Sequence, residues 1–128
     1  LTHSIPAPGE RSVDWIGSAL KDLRAFPETP RRNVGFALST AQYGGKHPSA
    51  KPWIGDGAGV YEIVEDYDGD TYRAVYTVHY AEVIYVVHCF QKKSPKGIKT
   101  AEPDKKLIAK RLKIVRELHE KAYGKAKK

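Results

Sequence analysis

The sequence predicts one α+β domain in the order β-α-α-β-β-β-α, a small antiparallel-rich sheet of about four strands with two helices before it and one after. Three observations lead there. Apolar residues recur at helical spacing near both ends of the chain and alternate between them. The 128 residues are enough for one modest core and too few for two ordinary domains. With 41% hydrophobic and 29% charged residues, the composition is that of a globular rather than a disordered chain.

Residues 1–10 hold two prolines and a glycine and read as an irregular arm. Ser12 to Ile16 is short, apolar at alternate positions and followed by Gly17, which predicts a strand. Ser18 suits an N-cap, and a short helix to about Phe26 buries Leu20 and Leu23 before Pro27 stops it. Pro30 at a first helical position opens a second helix to about Tyr43. Val34, Ala37, Leu38 and Ala41 share one of its faces, and Gly44-Gly45 ends it. Residues 46–58, with two prolines and two glycines, are expected to be loop.

The period then changes to two. Gly59–Asp66, Thr71–Val78 and Val83–Phe90 are rich in Val, Ile and Tyr and are joined by short connections, which predicts an antiparallel meander. In the middle strand Thr71, Arg73, Val75 and Thr77 share one face, and Tyr72, Ala74, Tyr76 and Val78 the other. A Lys/Gly/Pro loop from Gln91 to Pro103 follows. From Asp104 a helix runs to about Tyr123, with Leu107, Ile108, Leu112, Val115 and Leu118 as its apolar stripe. Residues 124–128 form a basic tail that frays. Helices packed on one face of the sheet leave the other free, and function is expected on the free face.

The net charge of +7 is unevenly placed. Residues 1–90 carry 8 Lys/Arg against 11 Asp/Glu (−3), whereas residues 91–128 carry 14 against 4 (+10). Such asymmetry fits a polyanion partner, and equally a solvated basic tail. No run of about 18 apolar residues exists to cross a membrane. The start, Leu1-Thr-His-Ser-Ile-Pro, lacks the basic-then-apolar pattern of a secretory signal. Cys89, the single cysteine, forms no intrachain disulfide and reads as a small buried hydrophobe. A reducing cytoplasm is the expected location.

The segment His88-Cys-Phe-Gln-Lys-Lys-Ser-Pro-Lys-Gly-Ile-Lys-Thr, with Trp15-Ile-Gly-Ser, Lys21-Asp-Leu-Arg-Ala-Phe-Pro, Tyr43-Gly-Gly-Lys-His-Pro, Gly59-Val-Tyr-Glu-Ile-Val-Glu-Asp, Tyr72-Arg-Ala-Val-Tyr-Thr-Val and the basic helix around Lys110-Arg111, forms an ordered set. In order and spacing it resembles the phage-derived Gp49-like family, a branch of the RelE/HigB toxin superfamily, over almost the whole chain. The resemblance implies a RelE-like fold and the toxin of a type II toxin–antitoxin system. Such a toxin is a metal-independent endoribonuclease that cuts mRNA, usually on the ribosome, and uses no cofactor. Its implied partners are the ribosome with its mRNA and a cognate helix-turn-helix antitoxin of the HigA/Xre-like kind.

Metal-free RNA cleavage needs a base for the ribose 2′-hydroxyl, an acid for the leaving 5′-oxygen and cations for the phosphate. Arg73 is the only Lys or Arg between Lys51 and Lys92, and its guanidinium suits a phosphate held bidentately. A cross-strand salt bridge to Glu62 or Glu65 is the alternative. Lys92, Lys93, Lys96 and Lys99 put four lysines in eight residues, a repulsive cluster unless an anion sits among them. Lys93 and Lys92 are the candidate proton-transfer lysines, and a lysine base needs its pKa lowered, which neighbouring cations do.

His88 lies in an apolar strand, so it is either a satisfied core residue or, if its face is the open one, the acid. By alternation it shares that face with Ile84, Val86 and Phe90. Phe90 is a stacking platform or the last core residue, and Lys51 is a secondary RNA contact. Tyr72, Tyr76, Tyr80 and Tyr85 are either stacking or packing residues. Arg111 is assigned to RNA by the resemblance. His3, His47, His79 and His119 show no ligand spacing, so no metal is expected. From a different class comes the reading of a non-catalytic nucleic-acid-binding regulatory module of phage origin.

Overall fold

The computed structural model describes residues 9–92 and 100–124. Among them the elements are β1 (Ser12–Trp15), α1 (Ala19–Arg24), α2 (Glu28–Gln42), β2 (Ala50–Pro52), β3 (Val60–Tyr67), β4 (Asp70–Thr77), β5 (Val83–Lys92) and α3 (Glu102–Tyr123). The five-stranded sheet has the order β1-β5-β4-β3-β2. It is parallel where β1 meets β5 and antiparallel elsewhere. The class is α+β, with one strand more than expected.

The added strand is β2, inside the segment expected to be loop. Trp53 N donates to Val60 O at 2.8 Å and Val64 N to Ser49 O at 3.0 Å, so odd positions face β3. Pro52 therefore turns its missing N–H outward, which an edge strand tolerates. Three residues ending in proline carry no alternation to read. Both long helices also begin two residues earlier than expected, at Glu28 and Glu102. Pro30 and Pro103 sit within first turns, whose amides have no helical partner in any case.

The helices do not share one face. Leu23, Val34 and Leu38 from α1 and α2 pack with Ile63, Tyr76 and Val86 on one side. Ile108, Leu112 and Val115 from α3 pack with Val75, Tyr85 and Val87 on the other. The cause lies in β5, buried at every position from Val83 to Phe90, as a strand covered on both faces must be. α3 packs along β5, and Glu62, Thr71, Val75 and Thr77, which β3 and β4 turn to this second face, are buried as well, so the free sheet face expected from one-sided helix packing is not found.

A bulge decides which residues reach that face. The β4–β5 register steps from Tyr76↔Val86 to Val75↔His88, leaving Val87 without an opposite number. Before the bulge, Ile84 and Val86 point to the α1/α2 core. After it, His88, Phe90 and Lys92 lie opposite Val75, Arg73 and Thr71, on the α3 side. The expectation that His88 shares a face with Ile84 and Val86 is thereby corrected, because one inserted residue inverts the alternation.

Burial separates the residues of the α3 stripe. Ile108 is fully buried, whereas Leu118 is 47% exposed. Ile108→Ala is expected to lose about 2–5 kcal/mol of stability and Leu118→Ala about 0.5 kcal/mol or less, measured by chemical denaturation. Similar losses for both would contradict this placement of α3.

Candidate functional site

The α3 side of the sheet carries a cluster drawn from adjacent strands. Glu62 comes from β3, Arg73 from β4, and His88, Phe90 and Lys92 from β5, while the first turn of α3 adds Asp104. Arg73 Nη1 donates to Glu62 Oε1 at 2.7 Å, both side chains being largely buried. His88 Nε2 meets Asp104 Oδ1 at 2.7 Å. The Phe90 ring stacks on the His88 ring, with centroids 4.7 Å apart and planes 15° apart. Of the alternatives for Arg73, register selects Glu62. Glu65 has the opposite parity and is held by Asn33 and Ser49 at 2.8 and 2.6 Å.

Lys92 ends β5 on this face and is only 9% exposed. Burial pushes its pKa below the ordinary lysine value, the Arg73 guanidinium adds to that, and Asp104 and Glu62 oppose it. These three groups therefore sit within electrostatic reach of one ammonium. Lys51 is exposed on edge strand β2, directly opposite Glu62. The structure thus brings together Arg73, His88, Phe90 and Lys92, with Lys51 at the margin. Lys93, Lys96 and Lys99 lie outside the described residues.

Arg111 has a different position. Its Nη1 donates to the Val87 carbonyl at 2.8 Å, and its Nη2 reaches Ser18 Oγ at 3.3 Å. The guanidinium lies against Gly17, where an added Cβ would come within 2.8 Å of Nη2. Tyr72 and Tyr76 belong to the α1/α2 core. Tyr80 and Tyr85 surround His119 near the other end of α3, where Tyr85 Oη and His119 Nδ1 are 2.9 Å apart. Cys89 is buried, and burial pushes its thiol up to about 12, which makes it inert as a nucleophile.

Two carboxylates of this cluster were not foreseen as functional. Glu62 carried a signal, since strand parity places it on the Arg73 face, but it entered only as an ion-pair partner. Asp104 read as a helix-start residue, and no spacing links it to His88. Two buried atoms have no partner among the described residues: Arg73 Nε, a donor, and His88 Nδ1. Among those residues no group of three or more His, Cys, Asp and Glu is arranged to hold a metal ion, and no helix is long and apolar enough to cross a membrane.

The position of Lys92 makes stability depend on pH. Its folded-state pKa lies below the 10.5 of an ordinary lysine. Between the two values the unfolded chain binds more protons, so stability rises with pH through that window, and below it the cost of burying the ammonium is present in full. Lys92→Met is expected to raise the denaturation midpoint at neutral pH and to flatten the alkaline rise. A less stable variant at neutral pH would contradict this.

A family model described as phage-derived protein Gp49-like matches residues 21–113, a span that includes Arg73, His88, Lys92 and Asp104. No curated protein and no solved structure shows a significant match to the chain. The Gp49-like family is associated with toxin–antitoxin modules in general. The match covers well over half of the chain, its boundaries run from α1 into α3 and enclose the whole charged cluster, and the chain belongs to the phage-derived Gp49-like family.

Proposed function

We propose that this protein is the toxin of a type II toxin–antitoxin system of the RelE/HigB kind, an endoribonuclease that cuts mRNA on the ribosome and so halts translation. The observation that carries the reading is the Val87 bulge, which sets His88 and Lys92 beside Arg73 on the α3 side of the sheet. A phosphate binder and two proton-transfer groups on one face are what transesterification of RNA requires. The +10 balance of residues 91–128 supplies the long-range attraction for a polyanion.

In the free protein Glu62 neutralises Arg73. An RNA phosphate that reaches this side of the sheet competes for that guanidinium, with exposed Lys51 at the margin as a second cation. Lys92, buried and with a lowered pKa, gives up its proton more readily than an ordinary lysine. Binding of mRNA by the ribosome supplies orientation that a shallow site lacks. The partner that restrains the activity in the cytoplasm is a helix-turn-helix antitoxin.

Induced expression in a bacterial host, with growth and mRNA 5′ ends followed, tests this reading. Growth is expected to stop, with new ends inside translated frames. Arg73→Ala is expected to lower cleavage by about 100-fold or more and to abolish arrest, with RNA affinity changed little. Normal growth at confirmed expression, or an Arg73→Ala chain that loses affinity in proportion to effect, would favour the non-catalytic binding module.

A further inference from the structure

We infer that α3 is the positioning element for His88, with Arg111 holding the bulge that turns the ring onto the site and Asp104 fixing the ring so that Nδ1 is the nitrogen that acts. This rests on the nuclease reading and gives its residues directions. Without the bulge, alternation would send His88 into the α1/α2 core with Ile84 and Val86. The carbonyl of the inserted residue, Val87, has no ladder position opposite it in β4, and Arg111 donates to it at 2.8 Å. The same guanidinium bonds Ser18 and fills the space beside Gly17, so its place is fixed from β1–α1 as well as from β5.

Asp104 acts on the ring itself. A carboxylate accepts, so at 2.7 Å His88 Nε2 is the nitrogen that carries a proton toward Asp104. Phe90 limits ring rotation by stacking. Nδ1 is left without a partner among the described residues, in a side chain that is 8% exposed. With Nδ1 unprotonated it is matched by a hydroxyl donor, and in this scheme His88 serves as the base.

The step then balances. The ribose 2′-hydroxyl gives its proton to Nδ1, and the imidazolium so formed keeps Asp104 as its counter-charge. The 2′-oxygen forms the bond to phosphorus, the bond from phosphorus to the 5′-oxygen breaks, and that oxygen takes a proton from the Lys92 ammonium. The products are a 2′,3′-cyclic phosphate and a 5′-hydroxyl. Asp104 and Arg111 touch no reacting atom in this scheme; they are positioning residues.

Nitrogen-15 NMR of the full chain, with ribosome-dependent cleavage measured in parallel, tests the inference. The wild type is expected to show His88 with its proton on Nε2, Asp104→Asn to lose that preference, and Asp104→Glu to restore it. Cleavage by Asp104→Asn is expected to fall about 100-fold with RNA affinity unchanged. Arg111→Lys keeps the charge without the planar fork. It is expected to slow cleavage while the salt dependence of RNA binding stays the same. Full activity in Arg111→Lys would mark Arg111 as an ordinary phosphate contact and overturn its role. A tautomer indifferent to Asp104→Asn, in a chain that cuts mRNA, overturns the positioning role alone. A wild-type chain that cuts no ribosome-bound mRNA overturns the nuclease reading and the base assignment together.

Discussion

Between Val86 and His88, β5 carries a residue that β4 does not match, and the chemistry of both sheet faces follows from that insertion. Up to Val86 the even positions of β5 feed the α1/α2 core; from His88 onward they face α3. The inversion places a histidine and a lysine beside the arginine of β4, where unbroken alternation would have buried them under two helices. A bulge leaves an unpaired carbonyl, and a buried carbonyl without a donor costs free energy. Arg111 supplies that donor from α3, so the helix that covers the end of the sheet also stabilises its irregularity.

The site's electrostatics follow from the same arrangement. Arg73 and Lys92 are drawn together in largely buried positions, and charges of one sign so placed need counter-charges. Glu62 and Asp104 provide them, each 2.7 Å from its partner. The same carboxylates keep the cluster compact when no polyanion is present. A phosphate arriving at Arg73 exchanges one anion for another and does not bury a new charge.

Much of the fold was legible in the sequence. Alternation in β4 placed Arg73 with Thr71 and Val75 on one face, as the structure has it. The unbroken apolar run of β5 carries the signal for helices on both faces, against the one-sided helix packing expected from the element order. The bulge leaves no local mark, because Val86, Val87 and His88 fit either parity, and only the pairing with β4 decides. β2 is three residues held by β3 and has no pattern of its own. Asp104 is 16 positions from His88 and meets it only because α3 folds back along β5. Arg111 was conspicuous as a cation, but its hydrogen bond to a backbone carbonyl depends on tertiary structure alone.

The central claim is that this face attacks a phosphodiester through the neighbouring ribose hydroxyl. Ribosomes carrying an mRNA with a single 2′-deoxynucleotide at a mapped cleavage position, incubated with the purified chain, test it most directly. The account predicts no cut at that position, and a 2′,3′-cyclic phosphate end on the all-ribose control. A cut that persists at the deoxynucleotide would contradict it.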